Sequence, residues 1–298
     1  MVAASRSRKA NKARMLVVDD EPDNLDLLYR TFRRDFNVLR AESGQQALDV
    51  LAQHGEVAVI ISDQRMPEMK GTEFLSKTVP EFPDTVRIIL TGFTDVEDLV
   101  DAINAGQVYR YITKPWDPDQ LKHVVDQAAK TYELLKQRGE AIDLSQSQQM
   151  LVTKMAEVAQ TIDDVESALP ILAQIIQTAV RCQGCMVQLV SKGSLGAQMA
   201  TAGETNTDLL KEDPLVKTAI AEQKVQICKN TASNPEAEAS AANNAAGISA
   251  YCVVPVIFRD EAIAIVALQW ADAQEFSSTT QDLVLLAAKQ TGLTLACL

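Results

Sequence analysis

The chain has 298 residues, a formal net charge of -12, 47% hydrophobic residues and 23% charged residues. That length and composition fit two globular domains and exclude a disordered or fibrous chain. The acidic balance opposes general binding to a nucleic-acid backbone, which relies on Lys and Arg releasing counterions.

The first fourteen residues carry Arg6, Arg8, Lys9, Lys12 and Arg14 and no acid. They read as a solvated tail rather than an arm for nucleic acid or acidic lipid. The tail has no hydrophobic region and the chain has no apolar run of about 18 residues, so neither a secretory leader nor a membrane span is expected, and a cytoplasmic protein is. The cysteines, Cys182, Cys185, Cys228, Cys252 and Cys297, are odd in number, so no disulfide framework is implied.

From residue 15 to 138, short apolar runs alternate with segments of helical period. The runs lie at 15–18, 37–39, 57–61, 86–90 and 109–112, and the amphipathic stretches between them include 24–32, 44–53 and 95–105. Five strands alternating with helices predict a doubly wound α/β fold, a parallel sheet covered on both faces. Chemistry in such a sheet collects beyond the carboxyl ends of its strands.

Asp19, Asp20 and Glu21 follow the first run, Asp63 the third, Thr91 the fourth and Lys114-Pro115 the fifth. If the first and third strands are neighbours, Asp19, Asp20 and Asp63 converge, and carboxylates that close must take up protons or share a cation. An all-oxygen site with room for water suits Mg²⁺. With Lys114 and Thr91 beside them, such carboxylates are equipped for phosphoryl transfer, Asp63 attacking phosphorus while cations neutralise the transferring oxygens. One strand-end Asp is usually a turn or helix cap. Five residues of the right type at successive strand ends are not.

These residues stand in Val17-Val-Asp-Asp-Glu-Pro22, Ser62-Asp-Gln-Arg-Met-Pro67 with Gly71, Leu90-Thr-Gly92 and Tyr111-Ile-Thr-Lys-Pro115. The segment 15–138 resembles the flavodoxin-like receiver domain of two-component response regulators. The resemblance implies that Asp63 accepts the phosphoryl group from a sensor histidine kinase or phosphotransfer protein. It also implies that Asp19, Asp20, Asp63 and the backbone carbonyl of Arg65 hold Mg²⁺, and that Thr91 and Lys114 contact the phosphoryl group. The Lys114-Pro115 bond is expected to be cis, and Tyr111 to change rotamer with Thr91. Phosphorylation would then reshape the face of the fourth helix, fifth strand and fifth helix, with Gly92 and Phe93 in the moving loop.

Asp117-Pro118 opens a helical stretch carried by Leu121, Val124, Val125, Ala128, Tyr132 and Leu135, which Gly139 is expected to interrupt. Residues 139–162 read as a linker or signalling helix. In it Leu151, Met155, Val158 and Ile162 form a short a/d seam, either a dimeric coiled coil or a helix packed on its own domain. A homodimer is the expectation.

Residues 163–298 predict an α+β module: a helix to about 180, strands near 185–190, 198–201 and 225–228, a helix at 214–223, and a hairpin of 250–258 with 262–270. A last helix is opened by a capping box at 278–281. Through Ser249-Ala-Tyr-Cys-Val-Val-Pro-Val-Ile, the hairpin to Trp270 and the ending from Phe276-Ser-Ser to Ala288-Lys-Gln290, this half resembles a GAF domain. Such domains often bind a small ligand over the sheet, and the Ala-, Ser- and Asn-rich segment 231–247 falls where a lid would lie. A bilin-type Cys-His pair and the Asn-Lys-Phe-Asp-Glu set of cyclic-nucleotide binders are missing. Cys182-Gln-Gly-Cys185 is the candidate for redox or iron–sulfur chemistry, against the plainer reading of buried structural cysteines.

No basic recognition helix, Walker loop or Gly-Gly-Asp-Glu-Phe signature follows the receiver-like half, and His54 and His123 sit in no kinase or metal spacing. The expectation is a response regulator, not an enzyme beyond its own phosphoryl chemistry, acting through a downstream protein partner without direct DNA or membrane binding. The alternative is a redox- or ligand-gated sensor whose second half, through Cys182 and Cys185, alters phosphorylation of the first.

Overall fold

The computed structural model describes residues 12–92, 108–205, 213–231, 247–272 and 276–298. The expected tail up to residue 11, the helix at 95–105 with Phe93, and most of the 231–247 segment lie outside the described residues. The chain divides into two compact units, 1–140 and 141–298.

In the first unit, β1 (Arg14–Val18), α1 (Pro22–Phe32), β2 (Asn37–Ala41), α2 (Gly44–His54), β3 (Val59–Asp63), α3 (Gly71–Thr78), β4 (Val86–Thr91) and β5 (Arg110–Thr113) precede the long helix α4 (Pro118–Thr161). The strands pair in parallel in the order β2-β1-β3-β4-β5. Side chains alternate between faces with period two. Met15, Val17, Val59, Ile61, Ile88 and Leu90 therefore enter one core with α1 and the start of α4, while Leu16, Val18, Ile60 and Ile89 enter the other with α2 and α3. Burial on both faces is why these strands read as continuous apolar runs.

The helix α4 passes through Gly139, so the expected interruption is corrected. A lone glycine in a helix costs only about 1 kcal/mol relative to Ala, and nothing crowds this one.

The second unit adds α5 (Val165–Val180), β6 (Gly184–Ser191), β7 (Ser194–Gly203), α6 (Pro214–Glu222), β8 (Gln226–Cys228), β9 (Ala250–Phe258), β10 (Glu261–Trp270) and α7 (Ser278–Cys297). Its sheet is antiparallel, ordered β7-β6-β10-β9-β8. Two tight hairpins organise it. Lys192 and Gly193 (φ 51° and 72°) join β6 to β7, and Arg259 and Asp260 (φ 48° and 65°) join β9 to β10. Positive φ at both central residues is the signature of the two-residue turn that matches strand twist. The first hairpin lengthens β7 beyond the expected 198–201. The N-cap of α7 is Ser277, whose hydroxyl accepts from Thr280 N at 3.1 Å, one residue before the predicted box.

The a/d seam has a different use from the expected dimer contact. Leu151, Met155 and Val158 are buried in the core of their own unit with Leu169, Leu172 and Ile176 of α5 and Val284 and Ala287 of α7, and Ile162 packs against that core. Thr294 Oγ1 also donates to the carbonyl of Met155 at 3.4 Å. Those side chains cannot also form the seam of a coiled coil, so dimerisation through them is corrected to packing on their own domain.

Candidate functional site

Parallel register places the expected site residues side by side. Val18 pairs with Ser62, Asp63 with Leu90 and Thr91 with Thr113, so Asp19, Asp63, Thr91 and Lys114 end four adjacent strands at one level. The edge is held by backbone bonds from Gln64 N to Leu90 O (2.9 Å) and from Lys114 N to Thr91 O (2.7 Å). The Lys114-Pro115 bond is cis.

Asp19 and Asp63 are 0% and 5% exposed, and the Lys114 ammonium lies between them, 3.1 Å from Asp19 Oδ2 and 2.5 Å from Asp63 Oδ1. Burial pushes the Asp63 carboxyl above its usual range, opposed by the Lys114 hydrogen bond and charge, reinforced by Asp19, and opposed again by the Arg65 amide. That amide donates to Asp63 Oδ2 at 2.8 Å. For Lys114, burial works to lower the pKa, but the hydrogen bond to Asp63 and the charges of Asp19 and Asp63 outweigh it, and the net shift is upward.

Asp20 differs from them in burial. It is exposed, and among the described residues no three His, Cys, Asp or Glu side chains gather into a ready-made metal cage. Of the three expected carboxylates, the structure brings Asp19 and Asp63 together with Lys114 between them, and Asp20 is exposed. The donor chemistry still fits Mg²⁺, a hard ion that takes one or two carboxylates and keeps several waters.

Thr91 is 1% exposed and its Oγ1 donates to Gly92 O at 3.1 Å. Tyr111 on β5 is 37% exposed. Gly71 is required by close approach, since a Cβ there would run into the Asp63 carbonyl oxygen.

Sequence reasoning missed three neighbours. Asn24 Nδ2 donates to both Asp19 oxygens at 3.2 Å and to Glu21 Oε2 at 3.3 Å. Buried Gln64 accepts from Thr72 N at 3.1 Å and so ties the end of β3 to the start of α3. Trp116 lies with its ring centroid 5.9 Å from Lys114 Nζ, and both line a cavity of about 490 Å³ with Glu21, Asn24 and Leu27. A polar residue in the first turn of the helix after Asp19 was the available signal for Asn24.

The cysteine candidates are placed elsewhere and otherwise. Cys182, Cys185 and Cys252 are buried in the apolar core of the second unit, and Cys228 is buried on the opposite face of its sheet. Burial pushes the Cys182 thiol up to about 12 and raises Cys185 and Cys252 as well. Reactive cysteines are thiolates in electropositive, partly exposed settings. The burial of Cys182 and Cys185 favours the plainer reading of structural cysteines in the core. Among the described residues no helix is long and apolar enough to cross a membrane.

Comparison with known proteins agrees with this architecture. A response regulator receiver domain model matches residues 15–126 and a GAF domain model matches residues 163–296. The chain is similar to the hydrogenase transcriptional regulatory protein HoxA of Cupriavidus necator, 43% identical over 119 residues, which are 40% of this chain and 24% of that protein. It is also similar to a chemotaxis protein CheY homolog of Campylobacter jejuni, 34% identical over 122 residues, which are 40% of this chain and 93% of that protein. Among solved structures, a receiver domain protein from Clostridium thermocellum is 29% identical and covers 41% of this chain and 98% of its own, with a TM-score of 0.39. The chain spans about a quarter of the length of the HoxA regulators it matches. With its parallel sheet and a match that covers 93% of the CheY homolog, the chain belongs to the response regulator receiver family, its receiver followed by a GAF domain.

Proposed function

We propose that Asp63 is the phosphoacceptor of a two-component pathway and that the donor is the phosphohistidine of a sensor kinase or phosphotransfer protein. An Asp63 oxygen attacks phosphorus, the P–N bond breaks, and its electron pair returns to the imidazole, which takes up a proton. Mg²⁺, held by Asp19, Asp20, Asp63 and the Arg65 carbonyl, would supply charge neutralisation at the transferring oxygens. Lys114 holds the remaining cationic charge beside Asp63, and the Thr91 hydroxyl is the donor available to the arriving group. The observation that carries this reading is the Lys114 ammonium 2.5 Å from Asp63 Oδ1 and shared with Asp19.

The acyl phosphate carries about -1.5 to -2 charges where the carboxylate carried one, and it brings new acceptor oxygens. Drawing Lys114 and Thr91 toward the new oxygens moves the ends of β4 and β5, and Tyr111, more than a third exposed, has room to turn. The consequence we infer is altered protein contact, with a second copy or a downstream partner, passed through α4 to the GAF domain. The test is incubation of the full chain with acetyl phosphate and Mg²⁺, followed by phosphoprotein electrophoresis. Wild type shifts and Asp63→Asn does not; equal labelling of both overturns the assignment.

A further inference from the structure

At the amino ends of β3 and β4, opposite the site, a second charged cluster is unused by that chemistry. Lys136 of α4 places Nζ 2.6 Å from Glu56 Oε2 and 3.3 Å from Asp84 Oδ2, and 5.9 Å from the ring centroid of Tyr132, one turn earlier. Glu56 Oε1 is buried with no hydrogen-bond partner among the described residues, and the ion pair of Glu56 Oε2 with Lys136 is this carboxylate's closest charge compensation, with Tyr132 and Arg87 adding weaker interactions. The Glu56 hydrogen bond holds the Lys136 pKa up, and burial followed by the Glu56 charge raises Tyr132. Buried Arg87, whose guanidinium donates to Thr78, Phe82 and Thr85, also feels the Glu56 charge.

The place of this cluster on the helix gives it meaning. Leu121, Val124, Val125 and Ala128 are buried against the receiver sheet, Ala129 and Tyr132 pack at the margin, and residues 137–143 are exposed. Apolar docking therefore ends at Tyr132, and Lys136 makes the last charged attachment within this unit. Its two anchors precede the strands that end in Asp63 and Thr91.

We propose that Lys136, Glu56 and Asp84 form an electrostatic latch that fixes the last docked turn of α4 on the receiver, and that opening it frees the helix from about Ala129 onward. The regulatory use of the latch rests on the proposed function; the latch itself is measurable without any phosphodonor.

The experiment is amide hydrogen exchange by mass spectrometry on the full chain, with no donor present. Lys136→Met keeps the apolar stem and removes the charge. Exchange across 129–143 becomes roughly fivefold faster, while β3 and residues 151–158 keep wild-type protection. Lys136→Arg, which keeps a cation for both Glu56 and Asp84, retains wild-type protection across 129–143. Unchanged exchange in Lys136→Met, equal loosening of β3, or loss of protection in Lys136→Arg as large as in Lys136→Met overturns the latch. Failure of Asp63 to label leaves these outcomes untouched, so the two readings fail separately.

Discussion

The ammonium of Lys114 lies 2.5 Å from Oδ1 of Asp63 although the two are contributed by the ends of different strands, β5 and β3. The pair is held by the edge of a rigid sheet, with Asp63 almost fully buried and its carboxyl raised by that burial.

Asp63→Asn is expected to stabilise the receiver by about 1 kcal/mol at neutral pH, because it removes a desolvated charge while Asp19 still pairs Lys114. A raised carboxyl binds its proton more tightly in the folded state. Its charged form therefore costs stability at neutral pH, and that cost fades as pH falls through the raised value and is gone below the ordinary 3.8. Urea titrations of both proteins from pH 7 to pH 3.5 should show the gap closing on acidification. A gap that is absent at pH 7, or that widens in acid, contradicts the burial argument.

Lys114→Met has the opposite sign. It leaves two buried carboxylates facing each other and should cost about 3 kcal/mol at pH 7, with the deficit shrinking as acid protonates them. In wild type the raised Lys114 pKa means that its contribution is intact below 10.5 and is lost as pH rises through the raised value. Chemical denaturation at pH 5, at pH 7 and at a pH above 10.5 checks both directions.

Leu151→Ala should destabilise the second unit by about 3 kcal/mol, the usual cost of truncating a buried Leu, and leave the association state unchanged in sedimentation velocity. Conversion of a dimer to a folded monomer of undiminished stability would restore the coiled-coil reading of that seam.

Of the five thiols only Cys297 is exposed, so Ellman's reagent should react rapidly with one equivalent in the native chain and with the remainder only on denaturation. Fast native reaction of Cys182 or Cys185 would contradict the core assignment.

The receiver was legible in sequence because its strands are buried on both faces and its polar residues stand at the strand ends, so apolar runs and their punctuation coincide with the fold. Asn24 and Gln64 were missed because their roles depend on contacts across a turn that no periodicity records. The seam from Leu151 to Ile162 was ambiguous for a different reason. Spacings of four and three residues describe one buried helix face, and only the positions of α5 and α7 decide what buries it. Gly139 misled because the helix formers around it outweigh its modest cost. In the second unit, the hairpin through Arg259 and Asp260 was legible from the two apolar runs it joins, whereas the signal that the pair Lys192-Gly193 held for the first hairpin went unused.

Borohydride trapping tests the central claim most directly. Reduction of an aspartyl phosphate converts that residue to homoserine, so peptide sequencing after treatment with acetyl phosphate and Mg²⁺ identifies the acceptor itself. The account predicts homoserine at position 63 and nowhere else, dependent on Mg²⁺ and strongly reduced in Lys114→Met. Homoserine at Asp19 or Asp20, or an intact Asp63 under conditions in which the protein is folded and Mg²⁺ is present, would contradict it.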